Sequence, residues 1–291
     1  MPGRIQISIP ARLATFCSRP PERRNWLEAL PALVEELCAR WDLTLDAPFD
    51  ASDATCSWVA PARRVDGQHA VLKVGVPHFE AEDEIAALEY LGGDPTVYLL
   101  EAEPSANAML LERCDPGTSL RRVPVAEQDG ILASLLQRVW RRPEPARNFR
   151  PLAAMTELWS EETRRDRDRW PDVPLVLDGL AAMEELARPS PDDVLLATDL
   201  HAGNVLRAER RPWLVIDPKP FVGDAAYDAT QHLLNTLDRV RADPRGSIAG
   251  FAGRLGVDPE RVRRWLFARL AAEPRDSWDA ESVRLATLLR S

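Results

Sequence analysis

A change of apolar rhythm at Asp115-Pro116-Gly117 constrains the fold of this chain more than any other feature. Upstream, apolar runs are short and bounded by turn residues: Trp58-Val59-Ala60, Ala70-Val71-Leu72-Lys73-Val74, Val97-Tyr98-Leu99-Leu100 and Met109-Leu110-Leu111. Runs of this kind read as strands. One helix interrupts them, over about 79–91, and is stopped by Gly92-Gly93. Another helix, over about 25–41, follows an extended start and carries Trp26, Leu30, Leu33, Val34 and Leu37 at helical spacing. Downstream the chain turns mainly helical, over about 126–141, 152–169, 175–187 and 225–240, with short helices to the end. Two strand-like runs, 194–197 and 213–216, lie among these helices. The pattern predicts an α+β, bilobal architecture: a small β-rich N-terminal lobe over 1–114 and a larger helical C-terminal lobe over 115–291. The natural ligand site of such a design is the crevice between lobes.

Composition narrows the function classes. The 291 residues hold 37 Lys and Arg against 46 Asp and Glu, a net charge of −9. That balance argues against nucleic-acid binding, which needs clustered cations on phosphates, and suits a cationic small-molecule partner. No apolar run approaches the ~18 residues of a membrane span, and the first residues lack a secretory pattern. Cys17, Cys38, Cys56 and Cys114 are dispersed, without the spacing of a zinc site or a disulfide framework. The expectation is a cytoplasmic monomer with neither nucleic-acid nor membrane partners. Among the basic residues only Lys73 and Lys219 are lysine, and both fall inside motifs.

The first motif is Asp199-Leu200-His201-Ala202-Gly203-Asn204, entered from an apolar run. Phosphoryl transfer asks little covalent chemistry of a protein: an anion to orient the acceptor hydroxyl, oxygens for Mg²⁺ and cations for the phosphates. Asp199 suits the first task, and the Asn204 carbonyl oxygen suits the second. The strand-like run 213–216 then delivers Asp217, a hard-oxygen ligand of the kind Mg²⁺ prefers. Lys73 sits in the middle of an apolar strand, where a compact ammonium serves as a point charge on phosphate. On the next helix Glu84 projects into the arc of Ala81, Ile85, Leu88 and Leu91. A buried acid is costly without a partner, and Lys73 is the obvious one.

In this order, Lys73, Glu84, Leu110-Leu111-Glu112-Arg113-Cys114, Asp199 to Asn204 and Asp217 resemble the kinase-like fold. The strings Ser57-Trp58-Val59-Ala60-Pro61, Pro116-Gly117-Thr118-Ser119-Leu120, Asp199 to Leu206 and Ile216-Asp217-Pro218-Lys219 are similar to the aminoglycoside phosphotransferase superfamily, in its streptomycin 6-kinase and hydroxyurea phosphotransferase branch. The resemblance runs from about residue 20 to the C-terminal helices. It implies ATP and Mg²⁺ as cofactors, with Asp199 as catalytic base and Asn204 and Asp217 as metal ligands. It also implies Lys73 on the nucleotide phosphates, paired with Glu84, and backbone groups of Glu112 and Cys114 on the adenine. His201 is implied either at the transferred phosphate or in a structural hydrogen bond.

Three departures accompany it. Ala197-Thr198 stand where the family has His-Gly. The phosphate-covering turn, 50–57, replaces glycines with Ser and Thr hydroxyls, Ser57 among them, beside Asp50 and Asp53. Lys219 follows the metal aspartate with no evident physical role. Asp224 and Asp228 read as caps of the following helix, with Asp224 also a contact for a cationic acceptor. The mixed-charge run 161–169 reads as a solvated face, and Trp159, Trp170 and Trp265 read as core. The resulting expectation is a phosphotransferase that moves the γ-phosphate of ATP to a hydroxyl of an aminoglycoside of streptomycin type. The same chemistry on hydroxyurea or another metabolite, and a nucleotide-binding pseudokinase, are the alternatives.

Overall fold

The computed structural model describes residues 7–49, 56–144, 147–274 and 279–290. The chain divides into two units, one of residues 1–118 with 207–214, the other of residues 119–206 with 215–291.

In the first unit α1 (Ala11–Cys17) and α2 (Pro21–Arg40) each follow a proline, and Pro21 occupies the first helical position, where its missing N–H costs nothing. The expected extended start is therefore helical over Ala11–Cys17, a segment too short for its apolar spacing to register. Strands β1 (Leu43–Leu45), β2 (Ser57–Arg64) and β3 (His69–Gly75) come next. After a 3-10 turn at Phe79–Ala81 follow α3 (Glu84–Leu91), β4 (Leu99–Glu103) and β5 (Ala108–Glu112). The helix expected from residue 79 thus begins as a tighter turn. The strands form one antiparallel sheet in the order β1-β2-β3-β5-β4.

Alternation along β3 decides what each face meets. Ala70, Leu72 and Val74 join Leu30, Val34 and Leu37 of α2 and Trp58 of β2 in one apolar core. Lys73, between Leu72 and Val74, points to the opposite face, in register with Val59 on one side and Met109 on the other.

Residues 207–214 belong to this unit although they lie far along the chain. Arg210 explains the attachment. Its guanidinium reaches both carboxylate oxygens of Glu112 (2.8 Å each) and the carbonyls of Gly93 (2.9 Å) and Thr96 (3.0 Å). It also lies 4.0 Å from the centroid of the Tyr98 ring. Bidentate carboxylate pairing and stacking are what a planar guanidinium does and an ammonium does not.

The second unit is helical: α4 (Val125–Val139), α5 (Leu152–Arg165), α6 (Val173–Leu186), α7 (Ala225–Leu234), α8 (Leu237–Ala242), α9 (Pro244–Leu255), α10 (Pro259–Ala272) and α11 (Ala280–Leu289). Along the chain between α6 and α7 run four three-residue strands, β6 (Val194–Leu196), β7 (Val205–Arg207), β8 (Trp213–Val215) and β9 (Phe221–Gly223), of which β7 ends and β8 begins within the 207–214 segment of the first unit. β6 pairs with β9 and β7 with β8. α10 packs against α5, α6, α7, α9 and α11 and is buried along nearly its whole second half, as a core helix must be. Trp265 is fully buried and meets Tyr227 edge-on, with centroids 5.1 Å apart; Trp159 is buried too.

The helix expected over 225–240 is broken. The Asn235 side chain bonds back to the Gln231 carbonyl (2.9 Å) and the Thr236 hydroxyl to that of His232 (2.9 Å). These residues compete with the helical ladder, and α7 ends there. Likewise α5 stops at Arg165, and the rest of the expected helix is a 3-10 turn at Arg167–Arg169. No helix of the described residues is long and apolar enough to cross a membrane.

Candidate active site

In the first unit the Lys73 ammonium lies 2.6 and 2.7 Å from the two Glu84 oxygens. Lys73 is 6% exposed and Glu84 1%. Glu84 opens α3, so its carboxylate also sits where the helix dipole favours negative charge. Ser57 begins β2 opposite Gly75. The rest of the expected phosphate-covering turn, Asp50–Thr55, lies outside the described residues.

Glu112 closes β5. Its backbone N–H donates to the Tyr98 carbonyl (2.9 Å), and its side chain holds Arg210. That N–H is thus spent within the sheet, which narrows the backbone groups at 112 available to a base. Cys114 follows, its thiol pushed up to about 12 by burial and then by the Glu112 charge. It is not a nucleophile. Gly117, at φ 68°, completes the turn, where a Cβ would fall 3.0 Å from the Cys114 carbonyl oxygen.

In the second unit Asp199 leaves β6 and enters the loop to β7. Asn204 donates its side-chain N–H to the Asp199 carbonyl (3.0 Å), which turns the Asn204 oxygen away from that contact. The Asn204 carbonyl accepts from the Ile216 N–H (2.9 Å), so the next residue, Asp217, is held beside the loop. Asp217 is at φ 55°, a left-handed conformation that Asp tolerates better than most residues. An amide oxygen and a carboxylate make a hard-oxygen pair that suits Mg²⁺, an ion that keeps waters and phosphate oxygens in its remaining positions. Among the described residues no cluster of three or more His, Cys, Asp or Glu could hold a metal, which excludes an all-protein cage there but not this open pair.

His201 accepts the Gly203 N–H at Nδ1 (2.9 Å), so its proton resides on Nε2, 3.9 Å from Asp199 Oδ1. A Cβ at Gly203 would fall 2.5 Å from the His201 ring and 2.6 Å from the Arg121 guanidinium, so any larger residue there would have to displace those side chains.

Three groups around Asp199 escaped the sequence reading. Lys219 places its ammonium 3.0 Å from Oδ2, and Gln231 of α7 places its amide 2.6 Å from Oδ1. The third is Asp228, expected as a helix cap. Its Oδ2 accepts instead from the Ala197 N–H (3.0 Å) and the Trp140 indole (2.9 Å). It therefore braces the backbone just ahead of Asp199. The Thr198 hydroxyl donates to the Lys219 carbonyl (2.7 Å), a second brace on the loop at the Ala197-Thr198 departure. Burial raises the Asp228 carboxyl to about 6, against the opposing pull of the Ala197 and Trp140 hydrogen bonds. Asp224 does cap α7, through the Ala226 N–H (3.1 Å). Its other oxygen takes Arg261 and Trp265 (2.6 Å each). Apart from the Asp224 cap, these contacts pair residues 20 to 88 positions apart, and no local motif announces them.

Residues 40–277 match the family model described as aminoglycoside/hydroxyurea antibiotic resistance kinase. The chain is 38% identical to streptomycin 6-kinase of Streptomyces glaucescens, over 94% of this chain and 92% of that protein. It is 34% identical to hydroxyurea phosphotransferase of Kitasatospora aureofaciens, over 96% and 82% respectively. Among solved structures, choline kinase of Streptococcus pneumoniae superposes with a TM-score of 0.62 at 12% identity, covering 89% of this chain and 97% of that one, and shows the kinase-like fold. By fold and by sequence over most of its length, this chain belongs to the aminoglycoside/hydroxyurea antibiotic resistance kinase family and is a phosphotransferase.

Proposed function

We propose that this protein transfers the γ-phosphate of ATP to a hydroxyl of a cationic aminoglycoside of streptomycin type and so inactivates the antibiotic. The observation that carries the reading is the 38% identity with a streptomycin 6-kinase across 94% of the chain. Residues 1–114 supply the nucleotide contacts: the Lys73 ammonium, steadied by Glu84, on the phosphates, Ser57 beside them, and backbone groups of Glu112 and Cys114 on the adenine. Residues 115–291 supply the chemistry and the acceptor site. Asp199 aligns the acceptor hydroxyl and receives its proton as the new oxygen–phosphorus bond forms and the bond to ADP breaks. His201, protonated at Nε2, offers a donor toward the transferred group. Asn204 and Asp217 would hold Mg²⁺, which when bound neutralises charge on the phosphates. The protein acts as a cytoplasmic monomer.

The test is the purified protein with ATP, Mg²⁺ and streptomycin, read by mass spectrometry for the gain of one phosphoryl group. Streptomycin left unmodified while other aminoglycosides react would remove the acceptor assignment. Nucleotide binding with no transfer to any acceptor, unchanged in Asp199→Ala, would identify a binding module instead. The 34% identity with a hydroxyurea phosphotransferase supports a second acceptor class. Including hydroxyurea in the same assay separates the two.

A further inference from the structure

Asp199 has two carboxylate oxygens, and each carries a close donor from a different element, with the Asn204 side-chain N–H a longer 3.5 Å from Oδ2. Lys219, on the turn between β8 and β9, takes Oδ2 at 3.0 Å; Gln231, on α7, takes Oδ1 at 2.6 Å. The Lys219 side chain is 15% exposed and that of Asp199 26%. The Lys219 backbone is itself tied to the loop, because its carbonyl accepts the Thr198 hydroxyl at 2.7 Å. The ammonium is thus anchored to the segment whose carboxylate it meets.

A carboxylate oxygen has two acceptor directions, so Oδ1, with Gln231 as its one hydrogen-bond donor, keeps a second direction for an incoming hydroxyl, while Oδ2 takes Lys219 and the longer Asn204 contact. A guanidinium would behave differently: its fork takes both oxygens of a carboxylate at once and would compete with Gln231. This chain uses arginine at nearly every basic position yet has lysine at 219. A single-point cation is what the two-donor arrangement requires.

We infer that Lys219 and Gln231 are positioning residues that fix the Asp199 carboxylate for the acceptor hydroxyl. The inference rests on the phosphotransfer reading with Asp199 as base. It demands little of Asp199 as a strong base, in keeping with a loose transition state in which orientation and charge balance matter most.

Steady-state kinetics of Lys219→Met and Gln231→Leu test it, with Asp199→Asn and the Asp199→Asn/Lys219→Met double variant as references. Each single variant is expected to lower kcat by at least ~30-fold, with KM for ATP and acceptor within about threefold of wild type. The double variant is expected to be no slower than Asp199→Asn, because residues acting through one group are not additive. A kcat within about threefold of wild type in both single variants would overturn the inference, as would losses confined to KM or losses that multiply in the double variant. Because the two residues lie on different elements, Gln231→Leu decides by the same criteria should Lys219→Met fail to fold. If the wild-type chain phosphorylates no acceptor, the phosphotransfer reading itself falls, and this inference with it. An active wild type with unaffected variants removes the inference alone.

Discussion

The buried Asp228 carboxyl makes stability depend on pH in a direction that can be worked out. Its folded-state value of about 6 lies above the ordinary value of 3.8, so between these limits the folded chain binds the extra proton. The contribution is fully present below 3.8 and is lost as pH rises through 6; above that, the folded state carries a buried charge. Asparagine at 228 has no such charge. The stability of Asp228→Asn relative to wild type is therefore expected to rise from pH 4 to pH 7 by about 2 kcal/mol and then level off. Urea unfolding at several pH values checks this, and a constant difference would refute it. The Lys73–Glu84 pair gives a second residue-level prediction. Lys73→Met takes the ammonium from a buried acid and should cost about 3–5 kcal/mol, whereas Lys73→Met/Glu84→Met should recover most of that. Neither variant should regain phosphotransfer, so stability and activity separate in one denaturation and turnover series. The pairing was legible in the sequence because Glu84 lies on an apolar helical arc and Lys73 in an apolar strand. Lys219, Gln231 and Asp228 were not, because each meets its partner only through the turns that bring β6, β9 and α7 together.

At the scale of elements, α6 and α10 approach so closely that Gly179 has no room for a side chain. A Cβ there would lie 2.6 Å from the Ala271 Cβ and 3.1 Å from that of Ala272. Because α10 is enclosed by its neighbours, it cannot withdraw, so overpacking outweighs any gain in helix propensity. Gly179→Val is expected to destabilise the protein by about 1–3 kcal/mol, read from the denaturant midpoint. The longer strands β2 and β3 and the helices α2, α4 and α6 were readable from periodicity. The three-residue strands β1, β7 and β9 were not, since no period can be established over so few residues, and neither was the seven-residue α1. The break after α7 was concealed because Asn235 and Thr236 interrupt a helix through their side chains while its apolar spacing continues past them.

At the scale of the molecule, the charge of −9 bears on the proposed acceptor. Attraction between an anionic protein and a cationic substrate is screened by salt. KM for streptomycin is expected to rise several-fold from roughly 0.05 to 0.5 M ionic strength while kcat changes little; a KM indifferent to salt would point to an acceptor recognised without charge. Composition disclosed this much, but nothing in the sequence showed that residues 207–214 belong with the first unit, because the Arg210 contacts span up to 117 positions. That attachment has a consequence during synthesis. The ribosome must extend the nascent chain to residue 214 before the N-terminal sheet receives its last segment, by which time the Asp199 to Asn204 loop has already been made. A fragment ending at Thr118 would emerge with Glu112 lacking its guanidinium partner, so cutting the gene at that point would not yield two self-sufficient halves.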